Sequence, residues 1–70
     1  MMGYTERQLS KAELKVLELV VKGYTSEKIG LKLSIAKSTV QTHRRNMLRK
    51  KQFNNTQQLA GWAVREGVVK

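Results

Sequence analysis

The run from Ala36 to Lys51 leaves this chain few choices of fold. Wound as an α-helix at about 100° per residue, it separates into two opposed faces. Ser38, Gln41, Thr42, Arg45 and Arg49 fall within an arc of about 100°, and all are polar or basic. Ala36, Val40 and Met47 lie opposite, with His43, Arg44 and Lys51 beside them. A helix with one narrow apolar stripe and one face of small polar side chains and arginines suits lying on a core and pointing outward into a groove. The rest of the chain must supply that core.

The other segments read as its frame. Ser10-Lys11-Ala12-Glu13 is a capping box, in which hydroxyl and carboxylate each accept from the other residue's amide. It predicts a first helix over about 11–22, with Leu14, Val16, Leu17, Val20 and Val21 inward and Lys11, Lys15, Glu18 and Lys22 outward. Gly23 ends it. Thr25 caps a second helix over about 26–33, which has Glu27 in its first turn and buries Ile29 and Leu33. Gly30 in the middle of that helix costs about 0.5–1 kcal/mol relative to Ala, so another backbone is expected to pass close by. Ser34-Ile35 forms a short turn with Ile35 as its buried plug. After the helix over about 37–51, residues 52–55 connect to a fourth helix over about 56–66. Asn54, Asn55 or Thr56 caps that helix, and Gly67 ends it. Its core face is expected to be Leu59, Ala60, Ala63 and Val64, with Gln57, Gln58, Gly61 and Arg65 opposite and Trp62 at the border. Four helical segments, no Pro and no repeat give an all-α four-helix bundle. Residues 1–8 lack periodicity and read as a disordered arm or linker, leaving 9–70 as the domain.

Charge narrows the partner. Fourteen Lys and Arg against five Asp and Glu give a formal net charge of +9 and a pI near 10.4. That excess on a 70-residue body favours a polyanion. Without Cys and with one His, the chain offers no disulfide, no thiolate site and little for a metal; no metal and no cofactor are expected. No nucleophile–base pair or carboxylate pair stands out, so an enzyme is not expected. No apolar run reaches the roughly 20 residues of a membrane span, and the basic face lacks the apolar stripe of a membrane-surface helix.

Residues 26 to 45 have the layout of a helix-turn-helix: short helix, tight turn, longer second helix. Around it stand Leu9-Ser10-x-x-Glu13-x-x-Val16-Leu17-x-Leu19, Gly23-Tyr24-Thr25-x-x-x-Ile29-Gly30-x-x-Leu33-x-Ile35 and Ser38-Thr39-Val40-Gln41-Thr42-His43. This arrangement, over residues 9 to 68, resembles the LuxR/GerE-type helix-turn-helix family. The resemblance implies a four-helix domain of a bacterial transcription regulator or response-regulator output domain. Such a domain binds double-stranded DNA with its third helix in the major groove, as a homodimer joined at the fourth helix. It also implies a cytoplasmic place at the nucleoid and room for an N-terminal sensor or receiver domain. The chain departs from the family pattern at several points. Gly30 stands for an Ala, Ala36 for a helix-capping Ser, Arg44 for an aliphatic residue, and Lys51-Gln52 for a Leu-Gly that ends the third helix. With Ala36 at that position, the third helix must be capped by Ser34 or left weaker.

On this resemblance Gln41, Thr42 and Arg45 are the base-contacting residues. Gln pairs with the donor and acceptor of adenine, Arg with O6 and N7 of guanine, and the Thr methyl with that of thymine. Thr25, Ser26, Lys28, Lys37, Ser38, Thr39 and Arg49 are the phosphate candidates, through hydroxyls, amines and helix-terminal amides. Lys50 and Lys51 are expected to add field rather than contacts. His43 reads as a packing residue. Gln58, Gly61, Trp62 and Arg65 are the candidate dimer surface, with little bulk at Gly61. The competing reading is a helical protein-interaction module that kept the fold without the DNA function.

Overall fold

A computed structural model describes residues 8–69, and the arm expected over 1–8 lies outside them except for Gln8. The chain forms four helices: α1 (Lys11–Val21), α2 (Ser26–Leu33), α3 (Lys37–Lys51) and α4 (Thr56–Arg65). Described residues contain no strand. Helices α1 and α4 each end one residue earlier than their spacing predicts.

Local chemistry sets most boundaries. The Ser10 Oγ accepts from the Glu13 amide at 3.1 Å, and the Ser10 amide donates to Glu13 Oε1 at 2.8 Å, completing the capping box of α1. Thr25 Oγ1 accepts from the Lys28 amide at 3.2 Å, and Asn55 Oδ1 from the Gln58 amide at 2.9 Å. Gly23 (φ +94°) and Gly67 (φ +69°) follow α1 and α4 in the left-handed region that glycine enters without steric cost. Helices α2 and α3 make the same reversal with Ser34 and Gln52, each at φ +60°. A side chain in that conformation costs about 1 kcal/mol or more. Ser34 is thus spent on closing α2 and does not cap α3. Ala36 occupies the capping position of α3 with no side-chain hydrogen bond, so the weaker alternative holds.

The core is Val16 and Leu17 of α1, Ile29 of α2, Val40 and Met47 of α3, and Leu59 and Ala63 of α4, all fully buried. Leu33, Ile35, Leu48, Phe53 and Trp62 pack around it half-buried. Helix α3 rests on the other three helices, α1 also packs on α2 and α4, and α2 and α4 do not pack on each other. The close approach expected at Gly30 is the turn itself: a Cβ built there would lie 2.7 Å from the Ile35 carbonyl oxygen. Ala36 is exposed, so the apolar stripe of α3 begins at Val40. Val64, expected in the core, is 59% exposed. Helix α4 is rotated so that Leu59 and Ala63 alone face fully inward.

Glu13 is the buried ion. It is 3% exposed, and beside the Ser10 amide its Oε1 accepts from Lys50 Nζ at 2.8 Å. Burial alone would raise its pKa, but the hydrogen bonds from Lys50 and Ser10 and the Lys50 charge outweigh it. The carboxyl is therefore held below its ordinary 4.5. Lys50 also donates to the Gln8 carbonyl at 3.3 Å, tying the chain ahead of α1 to the end of α3. Lys51 lies over the Trp62 ring, 4.8 Å from its centre. Both lysines, expected to add field to the DNA-facing side rather than contacts, also make contacts within the chain between α3 and its neighbours.

Candidate nucleic-acid interface

The face of α3 turned away from Val40 and Met47 carries Ser38, Gln41, Thr42, Arg45 and Arg49, all exposed. The 3.6-residue period that buries one stripe puts these five on the opposite arc. Gln41 and Arg45 make no side-chain hydrogen bond to another described residue, so their donor groups are available in full. Thr42 differs. Its hydroxyl donates to the Ser38 carbonyl at 3.0 Å, one turn back along the helix. With that proton spent, Thr42 offers a partner its methyl group and an acceptor lone pair. Arg49 Nη2 is steadied by Asn46 Oδ1 at 3.4 Å and stays exposed.

Lys37 and Thr39 in the first turn of α3 are exposed, and so are Thr25 and Lys28 at the start of α2, which lies beside Arg44 farther along α3. Helix α3 has no acidic residue in its first turn and no capping side chain, so the Lys37 and Ser38 amides are left for an outside acceptor, while that of Thr39 donates to the Ala36 carbonyl at 3.0 Å. Its last turn holds Arg49, Lys50 and Lys51, where cations complement the helix dipole.

Ser26 is half-buried, and its Oγ accepts from Arg44 Nη1 at 2.8 Å. The other arm of the fork, Nη2, donates to Thr56 Oγ1 at 3.1 Å. One arginine of α3 thus holds the first residues of α2 and α4, two helices that do not pack on each other. Sequence reasoning marked Arg44 as a departure and gave it no role. The signal was present, because a cation beside the buried stripe needs acceptors from neighbouring elements. The sequence pattern could not say which.

The candidate dimer surface is only partly open. Trp62 is half-buried with its ring 6.2 Å from that of Phe53 at a 56° tilt, and Lys51 covers one side. Gln58 Oε1 accepts from the Asn54 amide at 2.7 Å. The place expected to be bare at Gly61 is overlaid by Arg65: an added Cβ would meet its Nη1 at 3.3 Å. Val64, in turn, adds an outward apolar side chain next to Gly61 on the helix surface.

His43 is half-buried at the margin of α3's inner face. Among the described residues no group of three or more His, Cys, Asp or Glu is placed to hold a metal ion. No described helix is long and apolar enough to cross a membrane.

Comparison with known proteins agrees with this architecture. A family model described as bacterial regulatory proteins, luxR family, matches residues 7–63. The response regulator protein TodT of Pseudomonas putida is 41% identical over 51 residues, which are 73% of this chain and 22% of TodT. The oxygen regulatory protein NreC of Staphylococcus carnosus is 33% identical over 63 residues, 90% of this chain and 29% of NreC. The regulatory protein SdiA of Escherichia coli is 36% identical over 64 residues, 91% of this chain and 27% of SdiA. The chain therefore spans less than a third of the length of each of these relatives.

Proposed function

Because the chain belongs to the luxR family of bacterial regulatory proteins, we propose that it binds double-stranded DNA sequence-specifically as the DNA-binding unit of a transcription regulator. Helix α3 enters the major groove. Gln41, Thr42 and Arg45 read base edges, and the reading of Thr42 rests on its methyl group because its hydroxyl proton is internally bonded. Thr25, Ser26, Lys28, Lys37, Ser38, Thr39 and Arg49 grip backbone phosphates, together with the uncapped amides at the start of α3. Two copies pair on DNA through α4, with Gln58, Gly61, Trp62 and Arg65 at the contact and Val64 joining them. A sensor or receiver domain supplies the input signal, and the site of action is the bacterial nucleoid.

The observation that carries this reading is the free, exposed arc of α3 bearing Gln41 and Arg45, on a body of formal charge +9. Selection of bound sites from random duplexes tests it. The recovered fragments should share a short motif, repeated as two half-sites about one helical turn apart. Recovery of unenriched sequence would remove specific readout, and failure to retain any duplex would turn the reading toward a protein-interaction module.

A further inference from the structure

We infer that Arg44 is a positioning residue for the phosphate grip: by donating to Ser26 and Thr56 it fixes both hydroxyl oxygens and turns their O–H groups outward, as donors toward one DNA backbone phosphate. The inference rests on the proposed DNA binding and deepens it.

The chemistry follows from the hydrogen bonds. Each hydroxyl has one proton to give and lone pairs to accept with. At Ser26 a lone pair is taken by Arg44 Nη1 at 2.8 Å, and at Thr56 by Nη2 at 3.1 Å. Neither hydroxyl donates to another described residue, so each O–H is left to point away from the guanidinium. Both oxygens accept from a cation, which polarises the O–H bonds and makes them better donors. The guanidinium has further N–H groups beyond the two in use. No carboxylate bonds to any member of the cluster, since the one ion pair among described residues is Glu13 with Lys50. Ser26, Arg44 and Thr56 are each half-buried, so the cluster is open on one side. A group of donors with no bonded carboxylate, flanked at the start of α2 by the exposed Thr25 and Lys28 and by the solvated Glu27, fits an oxyanion. In the proposed complex that oxyanion is a phosphate of the duplex.

The planar fork matters as much as the charge. Arg44 reaches two hydroxyls on separate helices at once, and a lysine ammonium cannot hold both in one fixed geometry. Positioning and plain charge therefore part ways at Arg44→Lys.

The test is a double-mutant cycle on DNA affinity, read by fluorescence anisotropy on a selected duplex, with thermal melts of each variant. Ser26→Ala should weaken binding about tenfold. Arg44→Leu should weaken it at least as much, and the Ser26→Ala/Arg44→Leu pair should bind within about twofold of Arg44→Leu alone. Arg44→Lys should stay folded and recover less than half of the logarithmic loss. Because the cluster takes the oxyanion itself, millimolar inorganic phosphate should compete with duplex for the unmodified chain more than for Arg44→Leu, at matched ionic strength. Losses that multiply, full rescue by Lys, binding by Arg44→Leu equal to the unmodified chain, or equal phosphate competition would each overturn the inference while DNA binding stood. Absence of binding by the unmodified chain would remove the proposed function and this inference together.

Discussion

At Glu13 a carboxylate that is 3% exposed stays charged because three groups hold it: the Ser10 amide, the Lys50 ammonium and the start of α1. Its folded pKa is lowered, so its contribution is present above the unfolded value and lost as pH falls through the folded one. Melting temperature should accordingly be steady near neutrality and drop as pH falls below the ordinary value of 4.5. Glu13→Gln should flatten that acid limb and cost about 2 kcal/mol at neutral pH, roughly 10 °C in Tm. A variant melting like the parent across pH 3–7 would show that Lys50 has another partner in solution. Gln52 makes the opposite case. It sits at φ +60° where glycine is at ease, so Gln52→Gly should raise stability by about 1 kcal/mol in a urea melt. A loss of stability there would mean that the glutamine side chain makes a contact of its own.

Among the four helices, α3 alone starts without a capping side chain. Ala36→Ser should cap it, adding about 1 kcal/mol and slowing amide exchange in its first turn. No change in either would place the missing cap elsewhere. Helix α4 calls for a test that spares its packing. Trp62 packs with Phe53 and Lys51, so replacing it would disturb the fold along with any dimer. Gly61→Glu with Val64→Lys leaves Trp62 in place and displaces only the exposed Arg65 side chain, and should remove cooperative binding to two half-sites while leaving single-half-site affinity within about twofold. Cooperativity that survived would move the contact off this face. The ends of these helices were legible in the chain because their signals are local: Ser10 with Glu13, Thr25, Asn55, Gly23 and Gly67 act within a few residues. Val64 was not legible, since small and apolar residues run around much of α4 and packing alone fixes its rotation. Arg44 and Lys50 were not legible either. Their partners lie 12 to 42 residues away, and no periodicity reports such pairs.

In the molecule as a whole, the proposed phosphate grip and base reader share a small body in which α1, α2 and α4 all pack on α3. The longest dimension, 34 Å, is about one turn of B-DNA, which matches the half-site spacing of the proposed dimer. If about four to six phosphates are neutralised per copy, log K should fall with log[salt] at a slope of about −4 to −5. The phosphate candidates were readable as a group and not one by one, because a hydroxyl's use depends on neighbours such as Arg44. The most direct measurement is a binding titration of the unmodified chain and of Arg45→Ala, on a selected duplex and on random duplex, from about 50 to 300 mM salt. Arg45→Ala should lose about 1–3 kcal/mol on the selected duplex and far less on random duplex, with both proteins showing the steep salt slope. Equal losses on the two duplexes, or a nearly flat salt response, would rule out base readout by Arg45 or the electrostatic grip, respectively.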